Sequence, residues 1–276
     1  MIGGFALTQR HKVSMNNTNY DKNFLTEAQK TLCLEKSDID VNFDFTTDSG
    51  YWDTYHRGRS LKDPDTYSPR LRLYQQILYS RTLPCGKYCQ LEQGKNVCDD
   101  YLYWNGTRFS SDSIINMYAY RLPEIEKDIE NYEDKIESYI RKGYTIGGEI
   151  LFPRRQNSIN QCRGTCAEIQ DRFDLTLECI RRFYEGKDSP LYGVLKADEE
   201  FFKLFVDFKG FVDFLFLNDL VSEDYTKIKF FLGDDNDLFN RTPFPKNKDE
   251  WEQLYNKQME FLQQRNDRIK RFITMQ

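Results

Sequence analysis

Hydrophobic positions along the chain fall into a few regular runs. From Ile125, apolar residues recur at Ile129, Tyr132, Ile136 and Tyr139, in helical steps of three and four. The spacing predicts a helix over 122–143 with one narrow apolar stripe, Pro123 near its start and Gly143 just past its end. Leu71, Tyr74, Ile77 and Leu78 step in the same way after Ser68-Pro69, a helix-start pair. A segment over about 165–185 reads as a helix that is apolar nearly all round. Another short helix begins at Ser189-Pro190-Leu191, and Phe201 to Val221 predicts one or two buried helices interrupted at Gly210. Trp251, Leu254, Tyr255, Met259, Phe261, Leu262 and Ile269 predict a closing helix over 247–272.

Alternation marks the strands. Val41-Asn42-Phe43-Asp44-Phe45 reads as one, and Phe230-Phe231-Leu232 as a short one. Asn105-Gly106 predicts a tight turn joining 100–104 to 107–109. The run 144–153 reads as a strand with a glycine pair, Gly147-Gly148. Residues 1–40 are polar and weakly patterned, with a loop signal at Asn16 to Asn19 and one short helix over 24–34. Neither an internal repeat nor a Gly/Ser-rich linker is visible. The expected fold is α+β: a mostly helical single domain over 41–276 with a small antiparallel sheet, preceded by a weakly structured N-terminal extension over 1–40.

Composition narrows the classes. A chain of 276 residues with 21 Phe and 18 Tyr buries enough surface to fold without disulfides or metals. Lys plus Arg is 39 against 44 Asp plus Glu, a net charge of -5, which argues against a duplex-DNA binder. The most apolar stretch, 201–221, carries Lys203, Asp207, Lys209, Asp213 and Asp219, so no membrane span is expected. The first thirteen residues lack the apolar core of a secretory leader, and seven cysteines without such a leader read as reduced thiols in a cytoplasmic protein.

Candidate chemistry concentrates between Phe152 and Tyr184. On a helical wheel over 171–184, Asp171, Asp174, Glu178, Arg181 and Arg182 share one arc, opposite Phe173, Leu177, Ile180 and Tyr184. An ionic strip on an otherwise apolar helix is either paired within the protein or turned toward a ligand. The preceding loop holds Arg154, Arg155, Asn160 and Arg163, with no acidic residue from Leu151 to Cys166. Guanidinium forks suit phosphate or carboxylate. One hypothesis is therefore a pocket for a phosphate-bearing ligand, a nucleotide or a nucleic-acid end. Arg154, Arg155, Asn160, Arg163, Arg181 and Arg182 would bind it, and Asp171, Asp174 or Glu178 would serve as acid, base or metal ligand in a hydrolysis. No cofactor can be assigned. The competing reading pairs these arginines with the acids of the same helix. A second hypothesis is a non-catalytic interaction module in a bacterial stress or phage-conflict system, meeting a partner or itself through the helix over 123–142.

Other motifs add little. Gly147-Gly148 is no phosphate loop, since no Gly-Lys-Ser/Thr follows. Cys85, Cys89 and Cys98, or Cys162 and Cys166, do not complete a zinc set. Asp234 to Asp237 reads as a solvated turn, and His56 as a residue of a polar loop. Asp63 and Asp65 flank Pro64 and suit a helix start, with a catalytic pair as the second reading.

Several segments together resemble an uncharacterised family of bacterial proteins known as a domain of unknown function. They are Asp63-Pro64-Asp65 through Ser68-Pro69 to Tyr74, Ser111-Asp112-Ser113-Ile114, Gly143 to Gly148 with Phe152-Pro153, and Ile159-Asn160 with Arg163-Gly164. The strongest runs from Ile169 through Asp171-Arg172-Phe173-Asp174 to Arg182. The resemblance spans about 43–272 and implies a single intracellular bacterial or phage-borne domain, without an activity. The chain departs from the pattern at Gln161 and Cys162, in a shorter loop before Asn160, and at Gln75, where the pattern has histidine.

Overall fold

A computed structural model of the chain describes residues 36–55, 61–94, 101–115, 122–233, 239–240 and 242–275. The loop at Asn16 to Asn19, the helix over 24–34, His56 and the turn at Asp234 to Asp237 lie outside them. A 3-10 turn at Lys36–Asp38 is followed by two short turns of helix, α1 (Thr46–Ser49) and α2 (Tyr51–Tyr55). Then come α3 (Pro64–Tyr67) and α4 (Pro69–Tyr79), each begun by a proline behind a capping side chain. Asp63 accepts from the Asp65 amide, and Ser68 from the Leu71 amide at 3.0 Å.

Four strands follow as a small antiparallel sheet in the order β1 (Glu92–Gln93), β2 (Leu102–Trp104), β3 (Thr107–Ser113), β4 (Glu149–Pro153). Asn105, with φ 48°, and Gly106 turn β2 into β3, as the sequence predicts. β2 pairs with β3 only as far as Phe109, whereas β4 pairs along Phe109 to Ser113, placing Ser111 opposite Leu151 and Ser113 opposite Glu149. α3 packs against β3.

Between β3 and β4 lie α5 (Pro123–Glu126) and α6 (Tyr132–Gly143). The helix expected over 122–143 is thus broken, and Asn131 sits at the break with φ 53°. Its apolar stripe is nevertheless buried within the chain. Ile129, Ile136 and Ile140 pack with Tyr51 and Trp251, and Tyr139 joins the main core.

After β4 come α7 (Ile159–Thr165), α8 (Phe173–Tyr184), α9 (Tyr192–Ala197), α10 (Glu199–Lys203) and α11 (Phe208–Phe214), and α12 (Lys248–Thr274) closes the fold. Asn247 caps α12 through the Glu250 amide at 3.0 Å. The main core gathers Leu71 and Leu78 of α4, Ile150 and Phe152 of β4, Leu177 and Ile180 of α8, Phe211 of α11, and Leu262 and Ile269 of α12. No helix among the described residues is long and apolar enough to cross a membrane. The architecture is α+β, mostly helical, with one small antiparallel sheet.

Two expected strands take other forms, because side chains claim their backbone groups. At 41–45, Asp40 accepts from the Asn42 amide and Asp44 from the Thr46 amide, local bonds that compete with a sheet ladder. At 230–232, the Phe231 amide donates to Asp174 at 2.8 Å, and the three carbonyls accept from Lys257, Gln253 and Arg172. The segment over 165–185 also divides. Gln170 and Asp171 have φ of 45° and 62°, so Asp171 lies outside α8 and off its wheel.

Candidate functional site

Most of the cations singled out in the sequence meet acceptors of the protein itself. Arg155 forks onto Asp198 at 2.8 and 3.1 Å. Glu178 takes Arg181 at 2.7 and 2.9 Å and Arg182 at 2.8 Å. Asp174, fully buried, accepts from Arg172 and from the Phe231 amide, so it ties α8 to the 230–232 segment. Arg154 differs. It is half-buried, donates to the Ser158 hydroxyl at 3.3 Å, and has no carboxylate partner among the described residues.

Arg163 is fully buried and binds five acceptors: Asp112 Oδ2 at 2.7 Å, the carbonyls of Ser113, Ile114 and Asp171, and the Thr176 hydroxyl. The Asp171 carboxylate lies 3.8 Å from Arg163 Nε. A Cβ on Gly164 would come within 2.9 Å of that carboxylate, so the glycine gives it room. Asn160, one turn earlier on α7, donates to Ser110 at 3.0 Å. Of the predicted site residues, Asn160, Arg163 and Asp171 therefore converge on the end of β3. Asp174, Glu178, Arg155, Arg181 and Arg182 belong to other contacts.

The end of β3 carries a second set of groups. Asp63 and Asp65 at the head of α3, Asp112 on β3 and Glu149 on β4 lie close enough to influence one another's protons. Glu149 is fully buried, and the three aspartates are half-buried. Ser111 donates to Glu149 Oε2 at 2.7 Å and accepts from Gln75 Nε2 at 2.8 Å. Tyr144 hydrogen-bonds to Asp63.

Asp65 Oδ1 and Glu149 Oε1 are both buried and lack a donor. The two carboxyls lie within reach of each other, each shifting the other's hold on its proton. Two facing carboxylate oxygens can hydrogen-bond only if one carries a proton. Glu149 stands at about 8 because burial, the largest cause, raises it against the bonds from Asp65 and Ser111, with the charges of Asp63 and Asp112 adding to the rise. Burial, then the charges of Glu149 and Asp63, hold Asp65 well above the usual carboxylate range. Asp112 rises to about 6 through burial, with Arg163 opposing. A pair of carboxyls raised in this way keeps a proton to higher pH than ordinary acids do, and such a pair can supply an acid and a base at once. Among the described residues, no three Asp, Glu, His or Cys side chains are gathered to chelate a metal ion.

Asp65 and Asp63 were legible in the sequence mainly as a helix start, and Asp112 only within a motif. Glu149 had one sequence signal: it is the single charge in the run from Tyr144 to Pro153, on a strand whose five residues are all buried. The separate motif segments at 63–74, 111–114, 143–148 and 159–164 meet around this pair.

Neither a curated protein nor a solved structure matches the chain. A family's sequence pattern does, over residues 39–269, which is most of the chain. The chain belongs to the family of unknown function DUF6994.

Proposed function

We propose that the carboxyl cluster is the working site of a bacterial cytoplasmic hydrolase acting on a phosphate-bearing ligand, a nucleotide or a nucleic-acid end. The observation that carries this reading is the meeting of Asp65 and the fully buried Glu149, both raised by burial, beside half-buried Asp63 and Asp112. In such a hydrolysis the protonated carboxyl gives its proton to the leaving oxygen. The ionised partner takes one from the attacking water, so the pair ends with the proton it began with. Holding that proton also lowers the negative charge an anionic ligand would face. The phosphate class rests on the basic loop after β4, of which Asn160 and Arg163 reach the end of β3 through Ser110 and Asp112. Ser111, held by Gln75, fixes Glu149 Oε2, while Oε1 has no donor.

The test is turnover of a panel of nucleotides and short phosphodiesters by the wild-type protein, E149Q and D65N. Each carboxyl variant should lose at least about 100-fold in kcat. E149Q retaining the wild-type rate on a turned-over substrate would overturn the assignment. No turnover across the panel, together with specific capture of one protein partner, would favour the non-catalytic alternative.

A further inference from the structure

The Gly147-Gly148 pair, which is no phosphate loop, has a different use. It belongs to a 3-10 turn, Ile146–Gly148, that runs into Glu149 at the start of β4. Tyr144, just before the turn, hydrogen-bonds to Asp63, and Glu149, just after it, meets Asp65. One short segment therefore carries two partners of the carboxyl cluster.

This segment is held from the far end of the chain. Asn266, fully buried on α12, accepts from the Gly147 amide at 2.7 Å and donates to the Thr145 hydroxyl at 2.9 Å. Its neighbour Arg265, also fully buried, donates to the carbonyls of Gly147 at 2.7 Å and Glu149 at 2.9 Å. A Cβ on Gly147 would run into Asn266 Oδ1, and one on Gly148 into the Gly143 carbonyl. The glycines thus let the turn lie directly on α12 and on the end of α6. The bonds fall on both sides of the turn, at 145, 147 and 149, so they fix the backbone from which the Tyr144 and Glu149 side chains project. Such placement matters to chemistry, because a misplacement of about 1 Å can cost about 100-fold in rate.

We infer that Asn266 and Arg265 are positioning residues: through the Gly147 turn, α12 sets Glu149 against Asp65 and Tyr144 against Asp63. The inference rests on the reading of the carboxyl cluster as the working site and adds the device that assembles it. Neither side chain touches a reacting atom in this account.

The experiment reads contact between the two carboxyls rather than stability. Facing Glu149 are Asp63, Asp65, Asp112, Tyr144 and Arg265, and Asp65 is the one removed. The pH midpoint of the Glu149 carboxyl carbon signal is measured on the full chain with and without D65A, in wild type, N266A, G147A and T145V. In wild type, D65A should shift the midpoint by about one unit or more. In N266A, which leaves every carboxyl in place, D65A should shift it by less than about half as much. G147A pushes the turn off Asn266 from the other side and should act in the same way. T145V removes a single bond and should reduce the shift less. A lower denaturation midpoint in N266A with the D65A shift undiminished is what a merely structural role gives, and it overturns the inference. If N266A does not fold, an undiminished shift in T145V overturns it, and so does a wild type in which D65A shifts nothing. Turnover is read separately: a wild type inactive on the whole substrate panel removes the hydrolase reading, while the D65A shifts still decide whether α12 positions the pair.

Discussion

Replacing Glu149 with Gln separates a proton-sharing carboxyl pair from an ordinary buried hydrogen bond. Burial raises Glu149 from its ordinary 4.5 to about 8, so the folded chain holds this proton more tightly than the unfolded chain does. Protonation then favours folding. The contribution is fully present below about 4.5 and is lost as pH rises toward about 8. At 1.36 kcal/mol per unit, the full span is worth up to roughly 5 kcal/mol. Asp65 shares the same proton, so its own upward shift is not a second contribution. Glutamine has the shape of the protonated acid, and its amide can donate to Asp65 at any pH. Urea unfolding of wild type and E149Q at pH 5, 7 and 8.5 is the assay. The two proteins should lie within about 1 kcal/mol at pH 5. By pH 8.5 E149Q should be the more stable by several kcal/mol, roughly 10 °C in Tm for a domain of this size. A difference that stays constant with pH, or an E149Q less stable than wild type at pH 8.5, would refute the shared proton.

Three further outcomes follow from individual side chains. Arg163→Ala leaves the carboxylates of Asp112 and Asp171 without their buried cation, and chemical denaturation should show a loss of about 3–5 kcal/mol. Arg265→Met removes a fully buried guanidinium that satisfies the carbonyls of Gly147, Glu149 and Leu215 and the Tyr79 hydroxyl. It should cost about 3 kcal/mol in the same assay, and unchanged stability would deny Arg265 that role. Val206 is 63% exposed with φ 71°, a conformation that β-branched residues resist, so Val206→Gly should stabilise by about 1 kcal/mol and raise the denaturation midpoint.

What the sequence made legible was local. Ser68-Pro69, Asn105-Gly106 and Asn247 act through bonds to near neighbours, and α4, the β2–β3 turn and α12 begin or turn where those signals stand. The segments at 41–45 and 230–232 misled because their apolar residues are buried, but distant or capping side chains take up the backbone. Asp174, for example, holds the Phe231 amide across 57 positions. The helical wheel failed at Asp171 because the chain leaves helical geometry at Gln170 and Asp171, where Arg163 binds the Asp171 carbonyl at 2.6 Å. The basic loop was visible, but not the partners that neutralise it: Asp112 and Asp198 are far away in sequence. Glu149 and Asp65 are 84 positions apart, and no spacing rule connects α3 to β4. Only the packing of α3 on β3 brings them together.

Carboxyl carbon NMR on protein labelled at Asp and Glu side chains reads the proton between Asp65 and Glu149. Comparison with E149Q and D65N assigns the two signals. A titration from pH 4 to 9 should show the Glu149 signal moving with a midpoint near 8 and the Asp65 signal responding in the same step. Independent midpoints near the ordinary carboxylate values, with both groups ionised at pH 7, would rule out a proton shared between them.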